Sequence, residues 1–156
     1  MRFVSRYVVF SFSNIEFIHS SAVKAPVKSN SVDIVIASWF IGSIHDIRLR
    51  KKIIKEIRRI LKPNGSIYIV ENDIGGKFKN IVENHYGNKK TMAKLQWLGK
   101  NKFKKTASMK TYFKFKSIRS AKNVFTAIWS KEIANNIKSR KISHNIVIYR
   151  LGKIQI

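Results

Sequence analysis

Residues 22–73 read AVKAPVKSNSVDIVIASWFIGSIHDIRLRKKIIKEIRRILKPNGSIYIVEND. The order of signals in this stretch decides the fold. Val32 to Ser38 is a continuous apolar run rich in β-branched residues, the pattern of a strand covered on both faces, as in a parallel sheet. Asp46 can cap a helix, because its carboxylate accepts the orphan N–H groups of a first turn. Ile53, Ile54, Ile57, Ile60 and Leu61 then fall on one helical face. Lys51, Lys52, Lys55, Arg58, Arg59 and Lys62 occupy the other, a face that solvation alone explains. Pro63 bars further helix and Asn64-Gly65 turns the chain. Ser66 to Glu71 is a second buried strand. Strand, helix, strand in this order is a β-α-β unit, and a parallel pair requires such a crossover.

Outward from this unit the pattern stays α/β. Residues 7–12 and 15–18 are short β-prone runs with a candidate turn at Ser13-Asn14. Residues 75–105 are rich in Gly, Asn and Lys and predict one or two short helices. Residues 106–116 predict a strand carrying Tyr112, Phe113 and Phe115. Ser117 predicts the cap of a long helix whose apolar face runs from Ala121 through Trp129 to Ile137. A last strand centres on Ile146 to Tyr149. The 156 residues fit one domain, with no repeat and no linker.

Charge is the outstanding compositional feature, at a formal net +24. Residues 1–78 hold 13 basic and 6 acidic residues, whereas residues 79–156 hold 19 and 2, so the excess lies in the second half. A basic surface attracts polyanions without reading sequence, which makes nucleic acid a candidate partner. Lysine nevertheless outnumbers arginine 23 to 9, and the chain carries 24 isoleucines and 12 asparagines. Selection for phosphate would favour the forked guanidinium, so compositional drift is the stronger reading. The lysine-aromatic alternation in Met109–Lys116 could stack bases, but a strand with one apolar face has the same pattern.

Cysteine is absent, which excludes disulfides, thiolate metal sites and cysteine nucleophiles. No segment reaches the ~18–20 apolar residues needed to span a bilayer. The basic-then-apolar start lacks a cleavage signal and is read as non-targeting, so a cytoplasmic location is the expectation. His19, His85 and His144 lack metal-ligand spacing. His45 is read as a residue of the helix start rather than a base. No phosphate-loop, zinc-protease or serine-hydrolase motif occurs.

Several segments together resemble the second half of a class I S-adenosylmethionine-dependent methyltransferase domain, of the branch acting mostly on small molecules. Asn14–Ile18 with Ser20-Ser21-Ala22 resembles that family's third strand and adenine-side loop. Ser31–Ser38 resembles its fourth strand, Glu56–Gly65 the helix end written EIxRVLKPGG, and Ser66–Glu71 its fifth strand. The tail from about Lys110 to Lys153 is similar to its closing strand, helix and strand. The resemblance implies an α/β, Rossmann-like sheet lacking its first strands, with parallel strands joined by helical crossovers and a C-terminal antiparallel pair. It implies one partial domain over 1–156, with residues 1–13 outside the match.

The same resemblance implies S-adenosylmethionine as cofactor and a small-molecule methyl acceptor. Ser21 and Ala22 would flank the adenine. Ala37, Ser38 and Trp39 would line the methionine side. Ile44 takes the place of an apolar residue that often follows a His-His pair, here Gly42-Ser43. No catalytic residue is assigned, because displacement at a sulfonium needs positioning more than acid or base. None of the seven glycines forms G-x-G, and none precedes Asn14, so the glycine-rich cofactor turn is missing. Impaired activity of this chain alone is therefore expected. Two other roles stay open: a basic nucleic-acid-binding module on a methyltransferase-like scaffold, and a non-catalytic subunit whose sheet is completed by another chain or a second copy.

Overall fold

The computed structural model describes residues 14–86 and 88–152, without the side chains of residues 83–91. Strand β1 (Val32–Ser38) leads through a short 3-10 turn (Ile41–Ser43) into helix α1 (Ile47–Ile60), which returns as strand β2 (Leu61–Asn72). Helices α2 (Lys77–Tyr86) and α3 (Asn88–Lys100) follow, then strand β3 (Lys104–Lys114). Helices α4 (Ile118–Ile128) and α5 (Lys131–Asn135) lead to strand β4 (Lys141–Leu151). The four strands form one sheet in the order β1-β2-β4-β3. β1 and β2 run parallel, while β4 lies antiparallel to both β2 and β3. The expected α/β sheet, with a helical crossover and a C-terminal antiparallel pair, is what forms.

Local chemistry explains the crossover. The Asp46 carboxylate accepts from the backbone N–H of Arg48 at 2.7 Å and of Leu49 at 3.3 Å, which caps α1. Such a cap contributes ~1 kcal/mol. Ile53, Ile54, Ile57 and Ile60 are buried, and each apolar side chain so buried contributes about 2 kcal/mol. Val32 of β1 pairs Leu61, yet Ile34 already pairs Ser66. Lys62 to Gly65 are therefore accommodated as a bulge, which is where Pro63 ends the helical path.

The sheet has two unequal faces. On one, Ile67, Ile69, Val147 and Tyr149 pack with Ala37, Ile53, Ile54, Ile57, Leu98 and Phe103. On the other, a second cluster of Phe78, Ala121, Phe125, Ile133, Ala134, Ile137 and Ile142 covers only the end of the sheet near β3 and β4. Toward β1 that second face is open. Ile34 and Ile36 point into it and are 55% and 66% exposed.

Three expectations change. β1 is covered on one face only, since it is the edge strand of the sheet and nothing among the described residues packs over Ile34 and Ile36. Asn14–Ile18 forms no strand: Ile15, Phe17 and Ile18 are exposed, and no strand among the described residues pairs with them. The long helix after Ser117 is two helices, because Ser130 accepts from Ile133 N–H and caps α5 anew. The β-prone run at 7–12 lies outside the described residues. In β3, Thr111 and Phe113 face inward while Lys110, Tyr112 and Lys114 face out. This is the one-faced pattern that the lysine-aromatic alternation allowed.

Candidate functional site

Ligands of open α/β sheets sit outside the carboxyl ends of the parallel strands. Here those ends are Ser38-Trp39 of β1 and Glu71-Asn72 of β2. A cleft of about 520 Å³ opens there, lined by Trp39, Gly42, Glu71, Asn72, Phe78, Lys94, Phe113, Trp129 and His144 among others. A larger cleft of about 650 Å³, lined by Lys52, Lys55, Arg58 and Lys62, lies at the amino ends of the same strands. The carboxyl-end cleft is the better candidate, because strand ends and loops converge on it.

Its floor is a buried ion pair. Glu71 ends the apolar run of β2 and is 1% exposed. One carboxylate oxygen accepts from the backbone N–H of Gly42 at 2.7 Å, and the other meets Lys94 Nζ at 3.1 Å. A side chain on Gly42 would run into both Lys94 and Glu71. Glycine at this position thus lets the turn close over the carboxylate.

Its wall is an aromatic column. Asn72 Oδ1 accepts from Trp39 Nε1 at 2.7 Å and lies 2.8 Å from His144 Nε2. The indole can only donate, so Asn72 turns its oxygen toward both rings and His144 donates from Nε2. His144 stacks on Phe113 at 4.6 Å and meets the Phe78 ring edgewise at 4.7 Å. The Trp39 ring is stacked with His144 at 6.1 Å, inclined by 26°. Burial lowers the His144 pKa, which holds the imidazole neutral. Below the cleft, Asp73 accepts from Ser108 Oγ at 2.6 Å, Ile74 N–H at 2.7 Å and Lys105 Nζ at 3.1 Å. Burial alone would raise its pKa, but these donors outweigh it and the net shift is downward.

The six residues expected to face a cofactor separate into groups. Ala22, Ala37 and Ser38 come together in a groove of about 350 Å³ along the outer edge of β1, with Phe40 and Ile57. Ser21 is exposed in a tight turn, its carbonyl accepting from Lys24 N–H at 3.0 Å. Trp39 turns instead into the aromatic cleft. Ile44 is half-buried against the core beneath α1. His45 is exposed just ahead of the Asp46 cap, as expected of a residue at the helix start.

Asn72, Lys94 and His144 were not anticipated in the site. A polar Glu71-Asn72 pair closing an apolar strand was the available signal for the first. His144 is 72 residues further on in sequence, and only the insertion of β4 beside β2 brings it there.

Residues 3–69 match the family model described as a methyltransferase domain. Comparison with curated protein sequences gives no match. Among solved structures, a protein of Bacillus halodurans C-125 assigned as a methyltransferase is 12% identical, with 92% of this chain and 73% of that chain covered at a TM-score of 0.50. The YcgJ protein of Bacillus subtilis is 14% identical, covering 88% and 70% at a TM-score of 0.49. A SAM-dependent methyltransferase of Methanosarcina mazei is 17% identical, covering 84% and 64% at a TM-score of 0.45. The chain thus has a Rossmann-like fold shared with the Bacillus halodurans structure, and its residues 3–69 match a methyltransferase domain model.

S-adenosylmethionine is the cofactor that this match implies. The residues present fit part of it. The small side chains of Ala22, Ala37 and Ser38 leave room beside the end of β1. Glu56, the groove's carboxylate among the described lining residues, is already taken by Ala25 N–H at 2.8 Å and by Arg59 at 2.7 Å. Its other oxygen accepts from Arg59 Nε at 2.9 Å, so Arg59 engages both oxygens of the carboxylate. No helix among the described residues is long and apolar enough to cross a membrane.

Proposed function

We propose that this chain forms the acceptor side, and one wall of the donor side, of an S-adenosylmethionine-dependent methyl-transfer site acting on a small molecule. The convergence of Trp39, Asn72 and His144 at the carboxyl ends of the parallel strands carries this reading. Ala22, Ala37 and Ser38 are the donor-facing surface of this proposal, with Ser21 at its outer rim. Trp39 stands between donor and acceptor, and Ile44 supports the turn from behind.

When bound, the cofactor supplies an electrophilic methyl group. The chain's own residues position what lies on either side of it. Asn72 fixes the Trp39 indole, and the neutral His144 fixes Asn72. The buried Glu71–Lys94 pair holds the turn that carries Gly42. None of the seven glycines forms a G-x-G turn. Among the described residues, donor contact in this proposal rests on the small side chains at the end of β1 rather than on a glycine-rich turn. Photolabelling with tritiated S-adenosylmethionine tests the assignment. Label is expected on the peptide spanning residues 37–47, and label confined to peptides of α4 or α5 would contradict it.

A further inference from the structure

The backbone of Trp39 is in the left-handed region, with φ +49°. A bulky non-glycine residue there is strained by ~1–3 kcal/mol and persists only where its surroundings fix it. The fixing contacts are present: Trp39 N–H donates to Val70 O at 2.9 Å, and Nε1 donates to Asn72 Oδ1 at 2.7 Å. Two bonds thus hold an indole that is still 49% exposed. Core packing does not account for that, since a tryptophan held for packing would be covered. The ring is instead stacked with His144, which is itself stacked with Phe113, so three nearly parallel rings adjoin the cleft. Aromatic rings favour offset stacking on such a face. The cleft volume lies within the range of small-molecule sites. The described carboxylate of the cleft, Glu71, is paired with Lys94, so no free carboxylate among the described lining residues adds to the pull of the rings on a cation.

We infer that the open face of Trp39 is a stacking platform for a planar aromatic methyl acceptor. The inference rests on the methyl-transfer reading and specifies its substrate class. The cofactor side of Trp39 is then its backbone, and the acceptor side is its ring.

Equilibrium dialysis of the whole chain with 2-naphthol, decahydro-2-naphthol and tetramethylammonium tests it, with S-adenosylhomocysteine binding measured separately. The planar probe should bind at least about tenfold more tightly than its saturated counterpart. Trp39→Leu should remove about tenfold of the 2-naphthol affinity, and Trp39→Phe, which keeps a ring but loses the Asn72 hydrogen bond, should fall between Leu and the parent chain, with an unchanged far-UV circular dichroism spectrum showing that both variants fold. Equal affinity for the planar and saturated probes would overturn the inference, as would preference for tetramethylammonium. So would a Trp39→Leu variant that loses S-adenosylhomocysteine but keeps 2-naphthol. Selective 2-naphthol binding in a chain that binds no S-adenosylhomocysteine would uphold the platform and overturn the methyl-transfer reading.

Discussion

At the residue scale, the site depends on a few groups held by partners distant in sequence. Asn72 joins a β1-end indole to a β4 imidazole, and neither link follows from sequence spacing. Trp39 was visible in sequence as a residue after a strand, but its inverted backbone and its ring direction were not. The His144 environment has a pH consequence. Burial holds its folded pKa below the ordinary 6.5. The unfolded chain then binds a proton that the folded chain refuses, so this contribution to stability is complete above that value and is lost as pH falls through it. Urea midpoints measured at pH 8, 6.5 and 5 should fall toward the acid side. His144→Gln, which cannot charge, should flatten that fall. The Asp73 contribution has the same sign but is lost only at lower pH, below its ordinary 3.8.

At the element scale, strong local signals were reliable. Asp46, the isoleucine face of α1 and the Pro63-Asn64-Gly65 stop produced a helix over Ile47–Ile60 and a strand after it. The failure after Ser117 is equally local. The apolar stripe continues past Trp129, so periodicity alone joins α4 to α5, while the Ser130 cap separates them. Ser117 itself forms a capping box with Ser120, accepting from its N–H at 3.0 Å. Ser117→Ala should cost ~1 kcal/mol in a urea titration. Hydrogen exchange should quicken first in the initial turn of α4, and an unchanged pattern there would show that the cap is dispensable.

At the scale of the molecule, the β-α-β unit fixes where the cleft lies but not how much of the sheet surrounds it. The continuous apolar run of β1 has the composition of a strand covered on both faces, yet Ile34 and Ile36 are exposed on an edge strand. Composition records the face a strand is suited to bury, and neighbours decide whether it is buried. Exposed apolar edges associate, so this face should limit solubility. Ile36→Lys should raise the concentration at which light scattering appears, with a stability change within about 0.5 kcal/mol. A large loss of stability would mean that Ile36 is packed.

Calorimetric titration of S-adenosylhomocysteine into the purified chain and into its Ser38→Trp variant tests the central claim most directly. The account predicts saturable binding, weaker than micromolar, that the bulky substitution at the end of β1 removes. Absence of saturable binding, or binding that Ser38→Trp leaves intact, would contradict it.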